Sequence, residues 1–250
     1  MKRLIVMGIL AGVSALAGAA ELRIAASDTV ALRGTLADGD VDKLRQLATP
    51  ATTVLRVNSE GGDAQAAMQL GRYLRQQQWD VSIDTVCAGS CALYVFPAAR
   101  RKQVPADAVL ALQASAFLRA QAGPGQMRRT LAEAGVAAED LDAATAVLAA
   151  QLAGVAALEA AFAADMGIAP VFYRDFRQVA AQADAVRQRF PDQEAAVFWW
   201  PAAARLRRCY GIVGVEEGTR TARMQPAGYV YVPALSALVM GDQALPDCLP

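Results

Sequence analysis

A serine between small residues is the first feature of this 250-residue chain that could perform chemistry. Ser90 lies in the run AGSCA of residues 88–92, the serine elbow, where a predicted strand passes into an apolar helix. A serine at such a turn exposes its hydroxyl, and the amides of the helix N-terminus point towards whatever the serine attacks. Serine is also a common helix N-cap, so a nucleophile and a cap both fit.

Paired glycines follow the preceding predicted strand. Residues 58–62, the glycine loop, read NSEGG. Glycines reach backbone conformations that other residues avoid, and they leave their N–H groups unobstructed. Amides of this kind form oxyanion sites, which stabilise the charge that develops in acyl transfer. A plain tight turn between a strand and a helix fits a Gly-Gly pair equally well.

The chain contains no histidine, which excludes imidazole as a base or a metal ligand. A serine hydroxyl is a poor nucleophile unless a base takes its proton. A Ser–Lys pair is disfavoured because Lys43 lies on the first predicted helix, and Lys102 is on the order of 15 Å from Ser90 at helical rise. A homo-oligomer is compatible with the sequence, but identical chains could not donate the missing base.

The N-terminus has the pattern of an export signal. Lys2 and Arg3 precede an apolar run through Leu16, and residues 17–19 (AGA) offer a cleavage site. We expect residues 1–19 to be a cleaved signal peptide, with an uncleaved anchor as the alternative. No other segment reads as apolar enough to span a membrane. The expected location is therefore outside the cytoplasm, most simply the periplasm.

Four cysteines fit such an oxidising compartment. Their even number predicts two disulfides among three connectivities. We prefer Cys87–Cys91 with Cys209–Cys248, because the second bond would hold the C-terminal tail to the domain. The alternative for Cys87 and Cys91 is a redox pair, although their spacing differs from the usual two-residue spacing.

Strands and helices alternate around these residues, which is typical of α/β layers with a largely parallel sheet. Strands are predicted at 21–24, 29–34, 53–58, 81–86 and 104–112, and helices after a cap at Asp38 or Asp40, at 64–77 and at 92–98. Residues 127–166 predict two or three helices with breaks at Gly135 and Gly154, and a charged helix is predicted near 174–189. We expect one α/β domain over residues 20–214, with a C-terminal extension, 215–250, packed on it.

Composition and the remaining motifs exclude several function classes. Zero net charge with 19% charged residues leaves no broad basic surface for nucleic acid. We find no phosphate loop, dinucleotide fingerprint or metal-ligand cluster, so no cofactor or metal is expected. The run RLRR at 205–208 predicts a solvated helix face, and residues 216–217 (EE) predict a turn. Trp199 and Trp200 are expected to pack against the C-terminal segment.

Four segments, in order, resemble the Clp-type serine peptidases and the wider crotonase-like superfamily. Residues 57–62 (VNSEGG) look like the family's Ile-Asn-Ser-Pro-Gly-Gly, and the serine elbow looks like its Ala-Ala-Ser-Met-Gly. Residues 167–175 are similar to the stretch carrying its triad aspartate, and residues 210–213 (YGIV) resemble its closing Tyr-Gly-Leu-Val. The resemblance covers about residues 29–214 and implies the spiral α/β fold of that superfamily.

The resemblance also implies roles for individual residues. Ser90 takes the nucleophile position, the amides of Gly62 and Cys91 take the oxyanion hole, and Asp175 takes the acidic position. A register in which Gly89 stands at the nucleophile position would remove the serine as well.

The family's catalytic histidine has no counterpart in this chain. Leu112 stands where the family has that histidine, seven residues after a proline. A loop about three residues shorter would put Gln113 there instead. Neither side chain accepts a proton at neutral pH.

We therefore expect an exported Clp-type protein with a degenerate serine-hydrolase site. It would be a pseudoenzyme with a binding or accessory role towards an unknown peptide, protein or acyl ligand. An active serine peptidase using Ser90 with an unconventional base is the first alternative. A thiol-redox protein using Cys87 and Cys91 is the second.

Overall fold

The computed structural model describes residues 20–188, 196–218, 228–242, 245 and 248. The predicted signal peptide, residues 1–19, lies outside the described residues. In chain order the elements are β1 (Glu21–Ala26), β2 (Thr29–Arg33), α1 (Asp40–Leu47), β3 (Val54–Ser59), α2 (Ala64–Gln77), β4 (Asp80–Ala88), a π-helical turn (Cys91–Val95), α3 (Phe96–Ala98), β5 (Lys102–Val104), β6 (Val109–Ala111), α4 (Ala116–Ala120), α5 (Pro124–Glu133), α6 (Leu141–Met166), a 3₁₀ turn (Pro170–Tyr173), α7 (Phe176–Arg187), β7 (Ala196–Trp199), α8 (Ala203–Tyr210), β8 (Val215–Glu217), β9 (Tyr229–Val232), a 3₁₀ turn (Pro233–Leu235) and β10 (Ala237–Met240).

A seven-stranded sheet forms the centre of the molecule. Its spatial order is β1-β2-β3-β4-β5-β8, and β6 pairs with the end of β4. The β1–β2 pair is antiparallel, and every other pair in this sheet is parallel. Parallel strands need crossover connections, and here α1 and α2 supply two of them. The prediction of a single α/β domain with a largely parallel sheet and flanking helices is confirmed.

Alternate residues of the central strands are buried, as expected for a sheet with one face on the core. Leu55, Val57 and Ile83 are at most 1% exposed. Arg56 and Asp84, the residues next to them in the two strands, lie on the opposite, more exposed face, where Nε of Arg56 is 4.0 Å from Oδ1 of Asp84. Hydrophobic alternation therefore sets which face of the sheet the helices cover.

The strand predicted over 104–112 is in fact two short strands. β5 pairs with the beginning of β4, and β6 pairs with its end. Between them the amide of Ala108 donates to the carbonyl of Pro105, which closes a turn. Proline has no N–H for the sheet, so it marks the point where the chain leaves the sheet and returns. Residues 216–217, predicted as a turn, instead belong to β8 and extend the sheet beside β5.

The apolar helix predicted at 92–98 begins with one π-helical turn. The amide of Phe96 donates to the carbonyl of Cys91, which is the wider spacing of a π-helix. Helix α2 packs closely on this turn at Gly71, where an added Cβ would lie 2.5 Å from the carbonyl oxygen of Tyr94. A π-turn that begins within the serine elbow, directly after Ser90, fits the tendency of such turns to occur at functional sites.

Helix α6 runs unbroken for 26 residues, so the predicted break at Gly154 is wrong. A glycine costs a helix only about 1 kcal/mol, which packing and helical neighbours can offset. The predicted break at Gly135 falls directly after α5, where the residue adopts φ +85°.

Helix α6 is also long and apolar enough to cross a membrane by length and composition, with a mean hydropathy of 1.7. That corrects the expectation that no segment beyond the N-terminus passes this test.

A second sheet, of order β7-β10-β9, lies in the C-terminal part. Both Trp199 and Trp200 are buried here. The indole of Trp199 donates to Asp242 at 2.9 Å, and the amide of Trp200 donates to the carbonyl of Met240. The expected packing of the tryptophans against the C-terminal segment is confirmed.

Candidate functional site

The glycine loop and the serine elbow meet at one edge of the sheet. They follow β3 and β4, which are parallel neighbours, so their carboxyl ends lie together. An added Cβ at Gly61 would lie 2.9 Å from the amide nitrogen of Ser90 and 3.2 Å from its Oγ. The expected juxtaposition is therefore present, and it depends on the absence of a side chain at Gly61.

The Ser90 hydroxyl is buried and hydrogen-bonded. Ser90 is 4% exposed, and its Oγ donates to the carbonyl oxygen of Gly62 at 3.1 Å. Ser90 occupies the N-cap position of the π-helical turn that follows, as the N-cap interpretation expected, but its side chain makes no capping hydrogen bond there. The hydroxyl instead joins the elbow to the glycine loop.

The glycine loop is held from its other side by the chain after β2. The amide of Leu36 donates to the carbonyl of Gly61 at 2.8 Å, and the amide of Asp63 donates to the carbonyl of Leu36 at 2.9 Å. Gly62 has φ +140°, and an added Cβ would lie 2.3 Å from the carbonyl oxygen of Leu36. The loop is thus clamped between Leu36 and the serine elbow.

Of the two residues considered for the base position, Gln113 lies against the elbow. Its side-chain nitrogen is 3.0 Å from the position that a Cβ on Gly89 would take. Leu112 is 2% exposed, belongs to the core, and exchanges backbone hydrogen bonds of 2.7 and 2.8 Å with Trp199. A neutral amide, which cannot act as a base, therefore stands beside the elbow.

Neither lysine among the described residues can serve Ser90. Lys102 pairs with Val81, at the opposite end of β4 from the elbow, which at about 3.3 Å per residue places it roughly 20 Å away. Lys43 forms an ion pair of 3.0 Å with Asp40 on α1. The geometry does not favour a Ser–Lys pair.

Lys102 instead connects two backbone segments, the turn before β5 and the chain before β8. It is 2% exposed, and its Nζ donates to the carbonyl oxygens of Ala99 and Val213, the second at 2.9 Å. Burial, with the nearby charge of Arg75, lowers the Lys102 pKa to about 8. The charged form is therefore disfavoured in the folded protein.

The lowered pKa predicts a gain of stability at alkaline pH. The unfolded chain binds a proton at Lys102 up to about pH 10.4, whereas the folded chain releases it above about 8. The cost of burying the charged lysine therefore lowers the free energy of unfolding in full below about pH 8, and this loss decreases as the pH rises towards 10. Between pH 7.5 and 9.5 urea unfolding should show about 2 kcal/mol of stabilisation that Lys102→Met lacks. Identical pH dependence of the two proteins would contradict this assignment.

Asp175, expected at the acidic position, belongs to a buried ion-pair network. Its carboxylate accepts hydrogen bonds from the hydroxyl of Tyr210, from Arg205 at 3.3 Å and from Gln178 at 3.1 Å. Burial and the hydrogen bond to Asp175 raise the pKa of Tyr210. Through Asp175, the residue before α7, these contacts connect the first turn of α7 to α8.

The network corrects one expectation about the run at 205–208. Arg207 and Arg208 are exposed, as predicted, but Arg205 is only 6% exposed. Its guanidinium also lies 5.8 Å from the centre of the Trp199 ring. Arg205 is buried because it pairs with the buried carboxylate of Asp175. The residues around position 205 give no indication of this partner, which lies 30 positions earlier in the chain.

A buried carboxyl on α6 escaped the sequence analysis. Glu159 is 1% exposed, and its Oε2 accepts from the hydroxyl of Tyr94 at 2.8 Å and from the amide of Ala116 at 3.0 Å. Its Oε1 has no hydrogen-bond partner among the described residues. Burial raises the pKa of Glu159. The sequence did offer one indication of a buried carboxyl: Glu159 is the one charged residue between Asp142 and Asp165, in an otherwise apolar helix.

A cavity of about 570 Å³, the helical cavity, opens between α4, α5, α6 and α7. Ala114, the residue after Gln113, lines it. Most of its wall is apolar, and Arg119 and Arg177 also line it. The sequence analysis did not find it, because its wall comes from four helices spread over much of the chain.

The structure joins Cys87 to Cys91 and Cys209 to Cys248, which is compatible with the preferred pairing. The first bond brackets Ser90, with the two Cα atoms 5.3 Å apart. Both of its cysteines are at most 1% exposed. Thiol exchange requires access to sulfur, so this burial does not favour a redox role.

Comparison with known proteins places few constraints on this arrangement. No protein-family model matches the chain, and no curated protein matches it. Among solved structures, the chain is similar to a probable enoyl-CoA hydratase/isomerase from Mycobacterium abscessus, at 9% identity and a TM-score of 0.31. The match covers 66% of this chain and 88% of the other. Likeness of this degree carries no functional argument.

Across the parts of the chain that are described, no group of three acidic, cysteine or histidine residues could hold a metal ion.

Proposed function

We propose that this chain is a non-catalytic binding or accessory protein on a Clp/crotonase-type scaffold. The observation that carries the proposal is the state of Ser90. Its buried hydroxyl donates to the carbonyl oxygen of Gly62, and a carbonyl can accept that hydrogen bond but cannot remove the proton. In a chain without histidine, the serine elbow then serves to hold the glycine loop.

Two further observations support the scaffold. The motifs that resemble the Clp-type family occur in the same order, and the two loops that would carry its nucleophile and oxyanion amides lie in contact. On this proposal Gln113, which lies beside Gly89, rather than Leu112 occupies the position of the family's histidine. Asp175, at the position of the family's acidic residue, accepts hydrogen bonds from Arg205 and Tyr210, and the chain has no histidine for it to orient.

Export belongs to the same proposal. Residues 1–19 have the order of basic, apolar and small residues that directs secretion. All four cysteines are paired, which fits an oxidising compartment such as the periplasm.

Replacing Ser90 by alanine tests the structural role. The variant removes the donor to the carbonyl of Gly62, an exposed residue, so we expect Ser90→Ala to lower the free energy of unfolding by about 0.5–1.5 kcal/mol, the net contribution of a typical hydrogen bond. Urea unfolding of the oxidised protein measures this. Ser82→Ala, at a half-buried position of β4, the strand that precedes the serine elbow, is the control and should change stability by less than about 0.5 kcal/mol.

The sign of the effect separates the two roles of the serine. Residues kept for catalysis are commonly neutral or costly for stability, so their removal often stabilises a protein. An equal or higher stability of Ser90→Ala would therefore count against the proposal.

A further inference from the structure

We propose that the helical cavity binds one medium-chain fatty acid, with the alkyl chain against its apolar wall and the carboxylate at the arginines that line it. This rests on the proposed function, because it supplies a ligand for a protein that binds rather than reacts. Ala114, which lines the cavity, follows Gln113 in the chain, and the inference uses no contact of Ser90.

The size and wall of the cavity suit an alkyl chain. Its volume of about 570 Å³ falls in the range of small-molecule sites, about 300–1,000 Å³. The apolar side chains that line it come from all four helices: Leu118, Met127, Leu148, Leu152 and Phe176. Burying methylene groups against such a wall is favourable in proportion to the area removed from water.

The charges around the cavity select an anionic head group. Arg119 and Arg177 line it, and among the residues whose side chains are described no aspartate or glutamate does. Arg177 donates to the side-chain oxygen of Gln121 at 2.8 Å, a neutral partner. Arg174 lies close by, its guanidinium 5.3 Å from the ring centre of Phe117 on α4. Among the described residues none of these arginines has an ion-pair partner, so their charges are available to a carboxylate.

A monomeric amphiphile fits better than a membrane surface. The cavity is concave, and a lipid bilayer would instead need apolar side chains that project outwards. The polar side chains of Gln121, Gln126 and Thr130 also line the cavity, and they can hydrogen-bond a carboxylate or its water. One apolar chain with one charged end therefore matches both parts of the wall.

Titration calorimetry with decanoate on the full mature protein tests the proposal. We expect saturable binding of one decanoate per chain. Decyltrimethylammonium has the same chain length and the opposite charge, and it should bind at least about tenfold more weakly, since it loses the charge-assisted hydrogen bonds.

Variants locate the site. Arg119→Gln combined with Arg177→Gln should weaken decanoate binding about tenfold or more, and Leu152→Gln should weaken it similarly by placing an amide in the apolar wall. Arg129→Gln is the matched control, because Arg129 is exposed on α5 outside the cavity lining, and it should stay within about twofold. Unfolding curves of each variant confirm that the fold is intact.

Three results would overturn the inference: no decanoate binding, binding that the cavity variants leave unchanged, or binding to phosphatidylglycerol vesicles without binding of monomeric decanoate. The last result would indicate a membrane surface. Each of them would leave the proposed function standing, because that proposal is tested separately, by the stability of Ser90→Ala and by probe labelling of Ser90.

Discussion

A fluorophosphonate probe is expected to leave Ser90 unlabelled under conditions that label a competent serine hydrolase to completion. The chain has no imidazole, the neutral amide of Gln113 lies against the elbow, and Lys102 lies on β5, where it pairs with the end of β4 farther from the elbow. Loss of the base from a serine protease lowers turnover by on the order of 10⁶-fold. Residual catalysis through backbone amides could still reach roughly 10³-fold over water, so an activated ester is the fair companion substrate.

The position of Gln113 also defines the informative gain-of-function variant. Gln113→His places an imidazole against the elbow, whereas Leu112→His places one in the core beside Trp199. We expect any recovered labelling to appear in Gln113→His and not in Leu112→His, which should mainly lose stability. Labelling of the unmodified protein at a normal rate, abolished by Ser90→Ala, would show that a base exists and would defeat the proposed function.

Gly62→Ala is expected to destabilise the protein by about 3 kcal/mol or more. Its Cβ would lie 2.3 Å from the carbonyl oxygen and 2.7 Å from the amide nitrogen of Leu36, both backbone atoms that cannot turn away. The residue also has φ +140°, where a side chain adds strain of its own. Overpacking and strain each cost about 1–3 kcal/mol, and here they act together. Denaturant unfolding or the loss of soluble protein would report the effect.

Gly154→Ala is the matched control for this substitution. Nothing lies within 4 Å of an added Cβ at Gly154, and the residue is inside α6. Alanine there should stabilise the protein by about 0.5–1 kcal/mol, because glycine is the poorer helix former. A Gly62→Ala variant as stable as the unmodified protein would mean that the glycine loop is not clamped between Leu36 and the serine elbow.

Local pattern was enough to predict most of the central architecture. Alternating apolar residues predicted β3 and β4, and helical spacing predicted α2, because these periods follow from backbone geometry alone. Composition was enough to exclude an imidazole base, since a residue absent from the chain cannot be supplied by folding or by a second copy. The boundaries were less certain, as the division of residues 104–112 at Pro105 and the unbroken helix through Gly154 demonstrate.

Tertiary structure alone decided what each candidate residue contacts. Ser90 and Gly62 are 28 residues apart, and Arg205 and Asp175 are 30 apart, so no local signal links either pair. Whether Leu112 or Gln113 reaches the elbow depends on how β6 enters the sheet and on the pairing of Leu112 with Trp199. The helical cavity exists because four separate helices leave space between them. The sequence by itself determined the element types and the missing imidazole, whereas hydrogen-bond partners, burial and cavities arise from long-range packing, which a periodic pattern does not encode.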